Sequence, residues 1–245
     1  MPPPNVIPLP DGTEMGILYE DRVAMAVDKP PGWMLAPDDW VQTSRNLPRT
    51  LQLALQEREF WARSRNLKFL RYVHRLDAET SGVLLLAKSA GAVTALSDLF
   101  ESRSVEKNYV AVLRGAPSQA EWVCQMGLGP DPRMEGRMRV DNREGNEAET
   151  RFRVLQTVRD RTLVLAQPLT GRTHQIRVHA LEAGYPIIGD GLYGVEDTRG
   201  LALRAVALSY RCPFQKRQVR IRAPWDRWAK SFGFDPKGID LRPIS

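Results

Sequence analysis

Cysteine is nearly absent from this chain of 245 residues: Cys124 and Cys212 are the only two, too few and too far apart for a disulfide framework. Histidine is almost as scarce, with His74, His174 and His179, and these five residues together show no metal-ligand spacing. No metal site is therefore expected. Long apolar runs are missing too. A stretch such as Val83 to Ala87 is far too short to span a bilayer, so no membrane partner is expected. The opening residues MPPPNVIPLPDG have neither the basic nor the apolar region of a secretory signal, which points to the cytoplasm. Acidic residues are absent between Leu201 and Arg222, where Arg204, Arg211, Lys216, Arg217, Arg220 and Arg222 all fall. Such a segment reads as one basic face, turned to a polyanion or merely to solvent.

What is present is ordinary for a globular protein, with 42% hydrophobic and 26% charged residues. The length suits one large or two small domains. A net charge of +6 and a pI of about 9.5 favour a polyanionic partner without demanding one. No linker with a composition shift, internal repeat or low-complexity segment divides the chain.

Periodicity and turn residues predict the elements. The Pro-rich first dozen residues read as an extended arm. Ile17 to Tyr19 and Val23 to Val27 read as short strands, the second stopped by Pro30 and Pro31. Asp38 to Arg49 reads as loop, and Leu51 to Trp61 as one helix made of good helix formers. Gly82 to Ala87 reads as a strand buried on both faces, followed by a helix from Ala90 to about Glu101 with Ser89 as N-cap. Lys107 to Leu113 is the next strand, closed by Arg114-Gly115, with Lys107 and Tyr109 on one face. Residues 125 to 147 show no period and read as a long mobile excursion. Thr150 to Leu155 and Thr162 to Gln167 form a predicted hairpin across Arg159-Asp160. Thr173 is predicted to cap a helix through Ala183, with Gly184 as its stop, and residues 185 to 230 read as short strands and turns. These elements alternate without the regular rhythm of a doubly wound sheet. The predicted class is α+β, with one extended mixed, mostly antiparallel sheet flanked by helices and loops. We expect an arm over residues 1–15, one catalytic domain over 16–230 and a tail over 231–245.

The strongest local signal is VHRLDAETSGVLLLAK, from Val73 to Lys88. It sets a carboxylate beside an arginine at the entrance to a buried strand. On residues alone, Asp77 can cap a turn, pair with Arg75 at the surface for under about 1 kcal/mol, or carry chemistry. Tyr109 reads equally as a half-buried strand tyrosine, Arg177 as an exposed helix charge and Ile176 as core. Histidine titrates near neutrality, yet on a helix at about 100° per residue His174 and His179 point to different faces. His74 and His179 read as hydrogen-bonded structural residues, and none of the three as the general base.

The same stretch resembles the HRLDxxTSGxLLxAK signature of RluA-type pseudouridine synthases, the RNA uridine isomerases, with Asp77 at the catalytic aspartate. Lys107-Asn108-Tyr109 is similar to the family's KxY motif, and Gly171 to His179 (GRTHQIRVH) to GRTHQIRxH. Pro186 to Gly194 resembles PIxGDxxYG, while Leu18 to Asp21 and Asp28 to Gly32 resemble the opening YED and NKPxG. The resemblance covers roughly residues 16 to 225 and implies the pseudouridine synthase fold. It implies catalytic roles for Asp77, for Tyr109 stacking on the target base and for Arg177 as ion partner of the aspartate. It further implies that Arg75 fills the space an extruded base leaves, and that Ile176, Arg172 and His174 line the substrate site.

That reaction breaks the bond from uracil N1 to ribose, turns the base and rejoins it through C5. Nothing is oxidised and no group is donated, so no cofactor or metal is expected. One ionised carboxylate must attack the sugar or take its proton, and a neighbouring guanidinium favours the ionised form. Hydrolytic glycosidases normally use two carboxylates at a set separation. A single motif-borne acid fits isomerisation better. A stacked uridine must also be extruded before it can react.

The implied partner is RNA, ribosomal or transfer, with no obligatory protein partner and a monomeric state. Two departures from the pattern stand out: Arg204 occupies the place of a family histidine, and Trp33 to Pro37 follows a different sequence. The extra N-terminal RNA-binding domain of some relatives finds no room here, so RNA contact is expected from residues 201–222 and 125–147. Two other readings remain on sequence grounds, an RNA-binding protein without chemistry and a hydrolytic RNA glycosylase.

Overall fold

The computed structural model describes residues 4–36 and 43–244, which divide into two compact units. The first holds the described residues up to 105 together with 208–223, and the second holds 106–207 and 224–244.

In the first unit, β1 (Val6–Pro8), β2 (Glu14–Glu20) and β3 (Ala24–Lys29) lead to α1 (Leu47–Gln56) and α2 (Phe60–Arg63). Then follow β4 (Arg71–Tyr72), β5 (Ser81–Ala87) and α3 (Ala90–Glu101). Strands β1, β2, β3 and β5 pair antiparallel in that order, and β4 also pairs with β5. The proline-rich opening is therefore not wholly an arm, because Val6–Pro8 joins the sheet and Ile7 is buried. Residues 38–42 of the expected loop lie outside the described residues, and the loop ends before Arg49. Asn46 caps α1 by accepting the Arg49 amide at 3.1 Å, with Pro48 in the first turn, where its missing N–H does no harm. The single helix expected over Leu51 to Trp61 is broken into α1 and α2. Arg58 takes a left-handed φ of 55° between them, and neither Gly nor Pro marks the spot. Every residue of β5 is buried, as read, and Ser89 accepts the Ala92 amide at 3.2 Å to open α3. Val83, Leu85, Ala92 and Leu96 share one core with Tyr210, Val219 and Ile221.

The second unit carries β6 (Glu106–Arg114), β7 (Glu121–Gln125), β8 (Leu128–Pro130), β9 (Met138–Val140), β10 (Glu149–Val158), β11 (Arg161–Pro168) and α4 (Gln175–Glu182). Its sheet runs β6, β11, β10, β7, all antiparallel. The expected hairpin is β10–β11, and Arg159 supplies the left-handed turn residue with φ 54°. Residues 125–147 are not an unstructured excursion, since β8 and β9 pair as a hairpin and Leu128 packs with Val178 and Tyr193. Helix α4 starts at Gln175, one residue later than a cap at Thr173 implies. His174 precedes it with φ 56°, and Gly184 ends it with φ 86°.

Strand β12 (Leu203–Arg211) has residues 203–207 in the second unit and 208–211 in the first, where β13 (Gln218–Arg222) pairs with it. Helix α5 (Asp226–Ser231) and the C-terminal residues belong to the second unit. There Phe232, Phe234 and Ile244 are buried, and Arg153 donates to the carbonyls of Asp240 and Arg242 at 2.9 Å each. The fold is α+β as expected. Among the described residues, no helix is long and apolar enough to cross a membrane.

Candidate active site

Asp77 lies half-buried on the turn that enters β5, its carbonyl accepting the Thr80 amide at 3.1 Å. The next residue is gripped from the side. Lys29, fully buried at the end of β3, donates from Nζ to the Ala78 carbonyl at 2.7 Å and to the Pro30 carbonyl at 3.0 Å. Gly32 adds its amide to the same Ala78 carbonyl at 2.8 Å, from a φ of 82° that favours glycine. Burial pushes the Lys29 pKa down to about 7, against the pull of the Glu79 and Asp77 charges. A neutral amine has two hydrogens, one for each carbonyl. Arg75 is exposed beside this turn. His74 accepts the Leu85 amide at Nε2 (3.0 Å) and stacks on Phe100 with centroids 4.6 Å apart, a structural role as read.

In the second unit, Tyr109 sits half-buried on β6 opposite Ala166. Lys107, on the same strand face, donates to the Thr170 carbonyl at 2.8 Å and so ties β6 to the loop before Gly171. Gln175 holds the start of α4 with both ends of its amide. Its Oε1 accepts from Thr170 Oγ1 (2.6 Å) and the Arg172 amide (3.0 Å), and its Nε2 donates to the Glu149 carbonyl (2.8 Å) and Thr150 Oγ1 (2.9 Å). This long-range network replaces the local cap expected at Thr173.

Arg177 is not an exposed helix charge. It is 7% exposed, and its Nε and Nη2 donate to the two Asp190 oxygens at 2.8 and 2.7 Å. Asp190 also accepts the amides of Leu192 and Tyr193 at 3.1 Å each. The Arg177 guanidinium faces the Tyr193 ring, 5.0 Å from its centroid. Tyr193 accepts the Met138 amide at its hydroxyl and lies 2.8 Å from His174 Nδ1. The structure thus gathers Arg177, Asp190, Tyr193 and His174 into one cluster. Gly189 enters that turn with φ 77° so close to the Gly200 carbonyl that no Cβ would fit.

Ile176 is buried in the core, while Arg172 is exposed and donates to the Glu147 carbonyl at 3.0 Å. His179 is buried between Thr150 Oγ1 and the Met126 carbonyl, and desolvation lowers its pKa, which suits the structural reading. Arg204 is buried too, with Nε and Nη2 on the Pro224 carbonyl at 3.1 and 2.7 Å, so the departure at this position serves packing. Sequence reasoning quoted Lys29, Asp190 and Tyr193 inside motifs but gave them no role. Asp77 and Arg75 belong to the first unit, and the other proposed site residues to the second.

A family model described as RNA pseudouridylate synthase matches residues 23–182, from β3 through α4. The chain belongs to that family. As a pseudouridylate synthase it is an isomerase that acts on RNA, and the matched span contains Asp77, Tyr109 and Arg177. Among curated relatives, the ribosomal large subunit pseudouridine synthase C of Yersinia pestis is 39% identical over 174 residues, covering 65% of this chain. The chain spans only about half of that protein's length (53%). The dual-specificity RNA pseudouridine synthase RluA of Escherichia coli K12 is 33% identical over 215 residues, covering 86% of this chain and 93% of its own. Among solved structures, human RNA pseudouridylate synthase domain containing 1 gives a TM-score of 0.67 at 27% identity, covering 86% of this chain and 83% of that one. Domain containing 4 gives 0.69 at 24% identity, covering 87% and 89%, a likeness of fold alone.

Proposed function

We propose that this chain isomerises one or a few uridines in structured ribosomal or transfer RNA, with Asp77 as the reacting carboxylate. Arg177 is its ion partner, Tyr109 stacks on the extruded base, and Arg75 fills the vacated space. Ile176, Arg172 and His174 serve the substrate site. The reading rests on Asp77 occupying a turn inside the matched family span, with the neighbouring backbone fixed by Lys29 and Gly32. Asp190 supports it by holding two nitrogens of Arg177, which fixes the plane of the guanidinium. The reaction needs no cofactor or metal. The protein works in the cytoplasm as a monomer, as one catalytic domain over 16–230, without an obligatory protein partner. Phosphates are met by the basic stretch, where Arg220 and Arg222 are exposed on β13 and alternate with buried Val219 and Ile221.

Release of tritium from C5-labelled uridine in cellular RNA tests the reaction. Wild-type protein should release it and Asp77→Asn should not. RNA binding with no release would leave a binding protein, and free uracil over an abasic ribose would mean a glycosylase.

A further inference from the structure

Within the first unit, α1, α2 and the segment 66–72 enclose a cavity of about 1000 Å³ that none of the proposed catalytic or substrate residues lines. Its apolar lining includes Leu51, Leu55, Phe69, Leu70, Tyr72 and Leu86. Gln52 and Gln56, one turn apart on α1, and Asn66 add three side-chain amides. The remaining charge is of one sign: Arg58, Arg63, Lys68 and Arg71 line the cavity, all four exposed, with no Asp or Glu among the lining residues. None of the ion pairs found among the described residues of this unit engages these four cations.

Each part narrows the occupant. Four cations without an acid select an anion. Apolar side chains beside them favour an anion that also carries an apolar face. Two half-buried aromatic rings and three amides match a nucleobase, which stacks by its face and hydrogen-bonds by its edge. Small-ligand sites measure roughly 300–1000 Å³, so there is room for more than one nucleotide.

We propose that this cavity is a second RNA-binding site, which holds one or two unpaired nucleotides outside the uridine that reacts. A base lies against Phe69 and Tyr72, and its phosphates meet Lys68, Arg71 and Arg58. Target choice is then made partly here, by whether an unpaired nucleotide lies at the right reach from the reacting uridine. The proposal rests on the reading that the partner is RNA, and the test separates the two.

The probe is a single-stranded RNA hexamer carrying 4-thiouridine, photo-cross-linked to the full chain and mapped by mass spectrometry. Adducts should fall on Phe69 or Tyr72, in wild type and in Asp77→Asn alike. Hexamer affinity should drop at least about tenfold in the Lys68→Glu/Arg71→Glu double variant. In the milder Lys68→Gln/Arg71→Gln pair, the slope of log affinity against log salt should shrink by about 1.4, at about 0.7 per lost phosphate contact. All of these cations are exposed, so thermal unfolding should not change. Adducts confined to the second unit, or unchanged affinity in both double variants, would overturn the site. An abasic hexamer binding as tightly would overturn its nucleobase part. Tritium release without cavity adducts sinks this proposal alone, whereas adducts without release sink the catalytic reading alone.

Discussion

Asp190 and Asp77 each lie in a family motif, one in each unit, and they differ in burial and in how the backbone beside them is held. The Asp190 carboxylate is 1% exposed and accepts from two Arg177 nitrogens and two backbone amides. Asp77 is half-buried, and what is fixed beside it is backbone, the Ala78 carbonyl held by Lys29 and Gly32. Four donors on a buried carboxylate, three on Oδ1 and one on Oδ2, make Asp190 an anchor for Arg177 and for the turn through Tyr193. At Asp77 the fold pins the neighbouring peptide, so the turn is set through its backbone. Burial and backbone anchoring thus distinguish two acids that both stand in motifs.

The largest expected effect is the loss of activity in Asp77→Asn, with tritium release at background and the urea midpoint close to wild type. Asp190→Ala should do the reverse in kind. It strands a buried guanidinium and should destabilise the fold by about 3–5 kcal/mol, read by urea denaturation. If Asp77→Asn proves as destabilising as Asp190→Ala, the contrast fails.

Lys29 sharpens the comparison through pH. Its folded-state pKa lies below its unfolded value of 10.5, at about 7, so between these values the unfolded chain binds the proton and the folded chain does not. Stability from this group should therefore rise from pH 7 to 10 and be flat below 7, by an amount on the order of a few kcal/mol. Lys29→Met should erase that slope in thermal or urea unfolding, and should lower turnover by loosening the turn next to Asp77. An unchanged slope would mean that Lys29 stays charged in the fold.

The smallest effect separates two arginines of the basic stretch. Arg220→Gln should lower the salt slope of RNA binding by about 0.7. Arg204→Gln, buried on the Pro224 carbonyl, should leave it alone and reduce stability by about 1–3 kcal/mol instead.

Much of the fold was legible in the sequence because its signals are local. Ser89 as cap, the continuous apolar run of β5, and the Gly184 stop each act within a few residues of where they stand. The break between α1 and α2 was not, because Arg58 adopts a glycine-like conformation with no glycine there. The β8–β9 hairpin escaped for a related reason: Leu128 packs on Val178 and Tyr193, far along the chain. At the site, the family resemblance pointed to Asp77, Tyr109 and Arg177, where residue types alone left structural readings open. The partnership of Arg177 with Asp190 spans 13 residues and a turn, and no spacing rule announces it.

Gln175 carries a consequence of its own. Its oxygen takes two hydrogens and its nitrogen gives two, so the entrance to α4 depends on a group that is acceptor on one side and donor on the other. Glutamate has the same outline but nothing to give, and would set a negative charge against the Glu149 carbonyl in a place water hardly reaches. A one-atom exchange, invisible to shape, would thus unfasten the helix that carries Arg177.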